Sequence, residues 1–260
     1  MALDGFEEFS FTHEGAGRSV YRRGSGPGVV VIHEIPGITP EVARFARWVA
    51  EDGFTAFVPH LFGTPGKPFS GSYMLSQMAR ACVSREFSVL ARGESSPVTD
   101  WLRALCRHAH GECGGPGVGA IGMCLTGNFA LALMVDESVM APVLSQPSLP
   151  FPVTASHRRA LHLSEQDLAV VKGRVRTGCR VLGLRFTHDP LCPPERFQRL
   201  RDELGDGFEA VEIDSGPGNP HGIGRMAHSV VTKDLVDEEG HPTRDALDRV
   251  LALFRERLRD

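Results

Sequence analysis

The sequence predicts an α/β fold: a mostly parallel central sheet with helices on both faces. Three observations carry this expectation. Short apolar runs alternate with longer segments of helical periodicity along most of the chain, as successive strand–helix units require. Val29-Val30-Val31-Ile32 is a continuous β-branched run, as expected of a strand buried on both faces rather than one. With 260 residues the chain can bury a full-sized core, and one domain spanning residues 1–260 is the simplest organisation.

The elements follow in order. Phe9 to Arg23 reads as two short strands around Gly15-Ala16-Gly17, a hairpin at the sheet edge. After the buried run at Val29, Pro40 to Asp52 has helical periodicity and stops at Gly53. Phe54 to Val58 is the next strand. Met74 to Leu90 and Pro97 to His108 read as helices, and a glycine-rich lead enters the strand Gly117-Val118-Gly119-Ala120-Ile121. A helical run covers Asn128 to Val135, and Val139 to Leu144 is a strand. Ser145 to Arg159, rich in Pro and Ser, reads as a loop or small excursion near the site. Val181 to Phe186 and Phe208 to Ile213 are the last core strands. Thr243 to Leu258 is an amphipathic helix whose stripe is Ala246, Leu247, Val250, Leu251 and Phe254.

Composition excludes several function classes. A net charge of -4 without a Lys/Arg-rich run leaves no footprint for nucleic acid. No apolar segment reaches the length of a membrane span. The N-terminal stretch is acidic where a secretory signal would be basic and then apolar, so the expectation is a cytoplasmic protein. Six cysteines at irregular spacing support neither a disulfide framework nor a zinc site, and no metal or cofactor is expected.

Only Cys124 lies in a reactive context. Gly122-Met123-Cys124-Leu125-Thr126-Gly127 follows an apolar strand and precedes a helix, the pattern of the nucleophile elbow of α/β-hydrolases, with cysteine in place of the usual serine. A thiol acts as thiolate, which a helix N-terminus and a neighbouring base favour. It further requires a histidine and an orienting carboxylate supplied by the fold. Asp189, three residues past the strand ending at Phe186, stands where this architecture places its acid. His221 and His228 both follow the last core strand and both qualify as base, with His228 preferred. His241 reads as a turn residue. Glu34 follows the strand at Val29–Ile32 directly, at the same sheet edge as the elbow.

Taken together these residues resemble the dienelactone hydrolase family. The resemblance rests on His33-Glu34-Ile35-Pro36-Gly37, on Phe54 to Phe62 with its Pro59-His60-Leu61-Phe62 ending, and on the cysteine elbow. It runs from about Gly28 to the C-terminal helix. It implies an α/β-hydrolase fold and hydrolysis of carboxylic esters or lactones by Cys124, Asp189 and His228 or His221. It also implies that Glu34 contacts the resting thiol, and that the Leu125 and Ile35 N–H groups form the oxyanion hole. Arg85 and Arg225 would bind a carboxylated small-molecule substrate through their bidentate forks. A monomer or small homo-oligomer is expected.

Four departures stand out: Thr126 in place of the elbow's first paired glycine, His60 in place of an aspartate, a longer histidine loop, and a longer stretch from Ser145 to Lys172. They motivate a competing reading, a non-catalytic ligand-binding or interaction protein on a hydrolase scaffold. Acyl transfer and thioester hydrolysis by the same triad are further enzymatic alternatives.

Overall fold

The computed structural model describes residues 2–83 and 96–259. Its strands are β1 (Glu7–His13), β2 (Ala16–Gly24), β3 (Gly28–Ile32), β4 (Thr55–Pro59), β5 (Val118–Met123), β6 (Val139–Ser145), β7 (Val181–Phe186) and β8 (Phe208–Ile213). The helices are α1 (Pro40–Glu51), α2 (Gly71–Val83), α3 (Pro97–Cys113), α4 (Phe129–Leu133), α5 (Ala155–Arg159), α6 (Glu165–Arg176), α7 (Pro194–Leu204) and α8 (Pro242–Leu258). The described strands form one sheet in the order β1-β2-β4-β3-β5-β6-β7-β8. The β1–β2 and β2–β4 pairings are antiparallel and all others parallel.

The expected α/β-hydrolase architecture is therefore present, hairpin included. β3 shows why its sequence reads as an unbroken apolar run. Val29 and Val31 pack with Val42, Phe45 and Val49 of α1 and with Val250 and Phe254 of α8. Val30 and Ile32 face the other way, onto Trp101, Leu102 and Leu105 of α3. Side chains alternate across a strand, so a strand covered on both faces needs apolar residues at every position. On the α3 side, a second apolar layer joins α4, α6 and α7 to β6, β7 and β8.

Local signals fix the helix ends. Thr39 and Ser96 accept hydrogen bonds from the N–H groups of Val42 and Thr99, and a proline opens each helix. Two expectations change in detail. The elbow run expected as a helix from Asn128 to Val135 is a 3-10 turn at Cys124–Thr126 followed by the short α4. The stretch from Ser145 onward folds as a loop carrying α5 and then α6, whose only buried side chains, Leu168 and Val171, leave too narrow an apolar stripe to be read from sequence. The expected helix from Met74 to Leu90 corresponds to α2 as far as Val83; its remainder lies outside the described residues.

The sheet order locates the site. The chain runs from β3 outward to β4, then crosses back to place β5 on the other side of β3. Such a reversal opens a crevice beyond the C-terminal strand ends, where open α/β sheets bind ligands. Ile32 pairs with Gly122 and Met123 with Ser145, so the segments after β3, β5 and β6 emerge side by side there. Among the described residues no helix is long and apolar enough to cross a membrane.

Candidate active site

Cys124 occupies the apex of the turn between β5 and α4 at φ +55°. That left-handed backbone is costly for a residue with a Cβ and is tolerated where the surroundings enforce it. The flanking glycines show how tight the turn is. A Cβ on Gly122 would meet the Thr126 carbonyl oxygen at 2.1 Å, and one on Gly127 would meet the Pro147 backbone at 2.5 Å. Any larger residue at either position would push the elbow off its neighbours.

Thr126 is fully buried, and its side chain is accommodated as a polar stitch. Its hydroxyl accepts from the Met123 N–H at 3.0 Å and lies 2.9 Å from the Met123 carbonyl. It is also 3.1 Å from each of the Ile32 and His33 carbonyls. The single hydroxyl proton serves one carbonyl at a time. The group thereby couples the end of β3, which leads into Glu34 and Ile35, to the strand that delivers Cys124.

Asp189 and His228 come together. The Asp189 side chain is completely buried, and its Oδ2 lies 2.7 Å from His228 Nδ1. Its Oδ1 accepts from the Leu191 N–H at 2.9 Å, so one carboxylate both closes the turn after β7 and fixes the ring. Nδ1 must carry its hydrogen to meet the carboxylate, which leaves Nε2 facing Cys124. Burial disfavours the charged ring, but the charge and hydrogen bond of Cys124, together with those of Asp189, outweigh it and hold His228 well above the ordinary histidine value. The backbone N–H groups of His228 and Ser229 both donate to Asp234 Oδ2, at 2.8 and 2.9 Å, which anchors the histidine loop. His221 is instead exposed, its ring packed edge-on against His241 at 5.2 Å.

Glu34 is buried at the same edge but points its hydrogen bonds away from the thiol. Oε2 accepts from Ser229 Oγ at 2.8 Å and from Gln146 Nε2 at 3.3 Å, and Oε1 accepts from Thr232 Oγ1. Burial raises its carboxyl, against the pull of Thr232, His228 and Ser229. In this state the glutamate braces the histidine loop. Gln146 is also held from behind, its Oε1 accepting from Ser145 Oγ and from the Val230 N–H.

His33 is buried as a neutral ring. Its Nε2 accepts from the Leu61 N–H at 3.1 Å, so Nδ1 donates to the Glu34 carbonyl at 3.0 Å. Burial lowers it to about 3. His60 places Nε2 at 3.1 Å from the Gly63 carbonyl, a turn-closing role. The N–H groups of Ile35 and Leu125 make no hydrogen bond to another backbone group among the described residues, although both residues are buried. Arg225 is exposed on the turn leading to His228, and Arg85 lies outside the described residues.

Sequence reasoning overlooked the supporting residues. Gln146, Thr232 and Asp234 belong to it, and so does Arg196. Its guanidinium is fully buried and bonds the carbonyls of Pro147 and Pro150 at 2.6 Å each, His157 at 2.9 Å and Ala160 at 3.0 Å. Gln146, Thr232 and Arg196 have no local signature, because each acts on a segment distant along the chain, whereas Asp234 acts within its own loop.

Comparison with known proteins agrees with this architecture. A carboxymethylenebutenolidase of Pseudomonas sp. (strain P51) is 31% identical over 139 residues, 50% of this chain and 56% of that protein. A Saccharomyces cerevisiae protein provisionally named a carboxymethylenebutenolidase is 25% identical over 200 residues, 74% of this chain and 69% of that one. The crystal structure of a protein from Klebsiella pneumoniae, provisionally named a dienelactone hydrolase, superposes with a TM-score of 0.63 at 19% identity, covering 96% of this chain and 98% of that one. The model of the dienelactone hydrolase family matches residues 17–258; the chain belongs to the dienelactone hydrolase family.

Proposed function

We propose that the protein hydrolyses carboxylic esters or lactones through a Cys124–His228–Asp189 triad. Members of its family are hydrolases of the ester and lactone type, and the relatives above carry the carboxymethylenebutenolidase name. The observation that carries the triad is the bridging position of His228: Nδ1 is held by buried Asp189 at 2.7 Å while the ring pairs with the Cys124 sulfur. In the proposed resting pair the sulfur is thiolate and the ring imidazolium, the form in which cysteine is a nucleophile.

In this reading the thiolate attacks the ester carbonyl carbon and forms a C–S bond. Charge developing on the carbonyl oxygen is received by the Leu125 and Ile35 N–H groups, which have no backbone partner among the described residues. The C–O bond breaks and the leaving alkoxide takes the Nε2 proton. Water then cleaves the thioester. Glu34 belongs to the site as the brace of the histidine loop; contact with the thiol would require it to leave Ser229, Thr232 and Gln146. Arg225, exposed beside the loop, is the described candidate for a substrate carboxylate. Residues 1–260 act as one catalytic domain, supported by a single sheet that runs from Glu7 to Ile213. A cytoplasmic setting, which keeps the thiol reduced, is part of the same proposal.

The test is hydrolysis of 4-nitrophenyl esters and of enol lactones by wild type and Cys124→Ala. Loss of turnover to the uncatalysed level in the variant is expected. Turnover retained in Cys124→Ala refutes the assignment. Against the scaffold-only alternative, the reading is supported by the structural roles of Thr126 and His60 and by the pairing of His228 with both Asp189 and Cys124.

A further inference from the structure

After the sulfur is acylated, His228 loses the partner that held its Nε2. A thioester sulfur carries no charge and accepts hydrogen bonds poorly, yet the ring must stay aimed at the carbonyl while water attacks. Among the described residues, the other polar group at Nε2 is Ser148 Oγ, at 3.4 Å. This serine is completely buried, in the loop after β6. Its hydroxyl donates to the Gln146 carbonyl at 3.0 Å, which turns its lone pairs toward the ring.

The loop around it is fastened at each successive residue. Arg196 holds the Pro147 carbonyl at 2.6 Å, and the Ser148 N–H donates to the Cys124 carbonyl at 2.9 Å. Asn128 Nδ2 holds the Leu149 carbonyl at 2.5 Å, and Arg196 holds the Pro150 carbonyl at 2.6 Å. Four consecutive residues are thus tied to α7, to the elbow itself and to the residue just before α4. A hydroxyl fixed this firmly, to the same turn that carries the nucleophile, is a preorganised partner rather than a surface rotor.

We propose that Ser148 is a positioning residue for the second half of the reaction, holding His228 Nε2 while the acyl-enzyme is hydrolysed. The inference rests on the triad reading above. In that step Nε2 takes one proton from water as the remaining hydroxide oxygen forms a bond to the thioester carbon. The C–S bond then breaks, the acid departs, and thiolate and imidazolium are restored as the resting pair. Until the C–S bond breaks, the new imidazolium has no thiolate beside it. Ser148 Oγ accepts from Nε2–H during that interval, and Asp189 holds the opposite nitrogen, so both ends of the ring stay fixed. Acylation by a 4-nitrophenyl ester depends on this far less: the thiolate pairs with the ring until it attacks, and 4-nitrophenolate leaves without the Nε2 proton, which passes to solvent.

The two halves of the reaction separate in the kinetics. With 4-nitrophenyl acetate, Ser148→Ala is expected to keep kcat/KM, which reports acylation, within about 2-fold of wild type. It should lower kcat about 10- to 100-fold, the worth of one hydrogen bond to a charged group. KM falls in parallel, a burst of 4-nitrophenol approaches one equivalent per site, and mass spectrometry finds the acetylated chain. Ser148→Thr, which keeps the hydroxyl, restores kcat. If Ser148→Ala is not obtained folded, Ser148→Cys, a much weaker hydrogen-bonding group, is read by the same split between kcat and kcat/KM. Parallel loss of kcat and kcat/KM, or no loss in either, overturns the role of Ser148 while an inactive Cys124→Ala leaves the triad standing. An active Cys124→Ala overturns both.

Discussion

Thr126→Val gives a direct measure of how the elbow is fastened to the sheet. Valine keeps the volume and branching of threonine and removes only the hydroxyl. In the protein that hydroxyl satisfies the Met123 N–H at 3.0 Å and lies within 3.1 Å of three carbonyls, those of Met123, Ile32 and His33, all without access to water. Its loss leaves one buried donor without a partner, at about 1–3 kcal/mol, and withdraws a hydrogen bond from one of the carbonyls, at about 1 kcal/mol. Some relaxation offsets part of this, so about 2–3 kcal/mol of destabilisation is expected, a fall in Tm of roughly 5–10 °C for a domain of this size. Urea unfolding followed by circular dichroism should show the same loss at unchanged m-value. Thr126→Ser, which retains the hydroxyl, should lose about 1 kcal/mol for its buried methyl. A Thr126→Val variant within about 0.5 kcal/mol of wild type would refute the stitch, because a merely tolerated surface-like residue costs no more than that.

Other expectations follow from the same contacts. Asp189→Asn presents an N–H to His228 Nδ1 and forces the ring hydrogen onto Nε2, so kcat should fall about 10³- to 10⁴-fold with unchanged Tm order among variants; near-normal turnover would exclude Asp189 as the orienting acid. Iodoacetamide at neutral pH should modify Cys124 ahead of Cys106, Cys113, Cys179 and Cys192, whose thiols burial pushes up; peptide mass mapping that finds Cys113 first would contradict this. His33 is held near 3 by burial, so its contribution is present above pH 6.5 and is lost as pH falls toward 3, at up to about 1.4 kcal/mol per pH unit. The stability difference between wild type and His33→Gln should carry that slope, and a pH-independent difference would rule it out. His228 has the opposite sign: held well above 6.5, it stabilises fully below that pH and loses its contribution as pH rises through its folded value, an effect that should vanish in His228→Gln. Arg196→Met leaves the buried Pro147 carbonyl and the partly buried Pro150 and Ala160 carbonyls without their side-chain donor and should cost about 2–4 kcal/mol, read by thermal unfolding.

The sequence made legible whatever is written in consecutive residues. Continuous apolar runs mark strands covered on both faces, and β3 divides its four apolar residues between two helical layers as that pattern requires. Gly122 and Gly127 mark a turn too tight for a Cβ. Asp189 was legible by position, because the chain direction in a parallel sheet puts every strand's C-terminal end at one edge. The two histidines could not be separated this way: both follow β8, and only the fold shows one ring on Asp189 and the other exposed on His241. Arg85 lies outside the described residues, and the exposed Arg225 gains no described partner that would single it out.

What was illegible is the placement of polar groups against distant segments. Glu34 could be identified as a carboxylate at the right edge, but whether it faces the thiol or the loop depends on Ser229 and Thr232, nearly two hundred residues later. Thr126 reads in the sequence only as a departure from glycine, because the four backbone atoms that meet its hydroxyl belong to the fold. The same asymmetry explains why the proposed triad was accessible and the groups around it were not. Reactive side chains must emerge at strand ends, where topology puts them, whereas a supporting side chain can come from any element that packs nearby. Arg196 reaches the loop after β6 from α7, Asn128 from the residue before α4, and Ser148 lies in that loop itself. Their shared effect is to turn a loop after β6 into a fixed surface beside the elbow. In the proposed reaction the elbow supplies the thiol, and the fixed loop after β6 keeps the histidine where the thiol can use it.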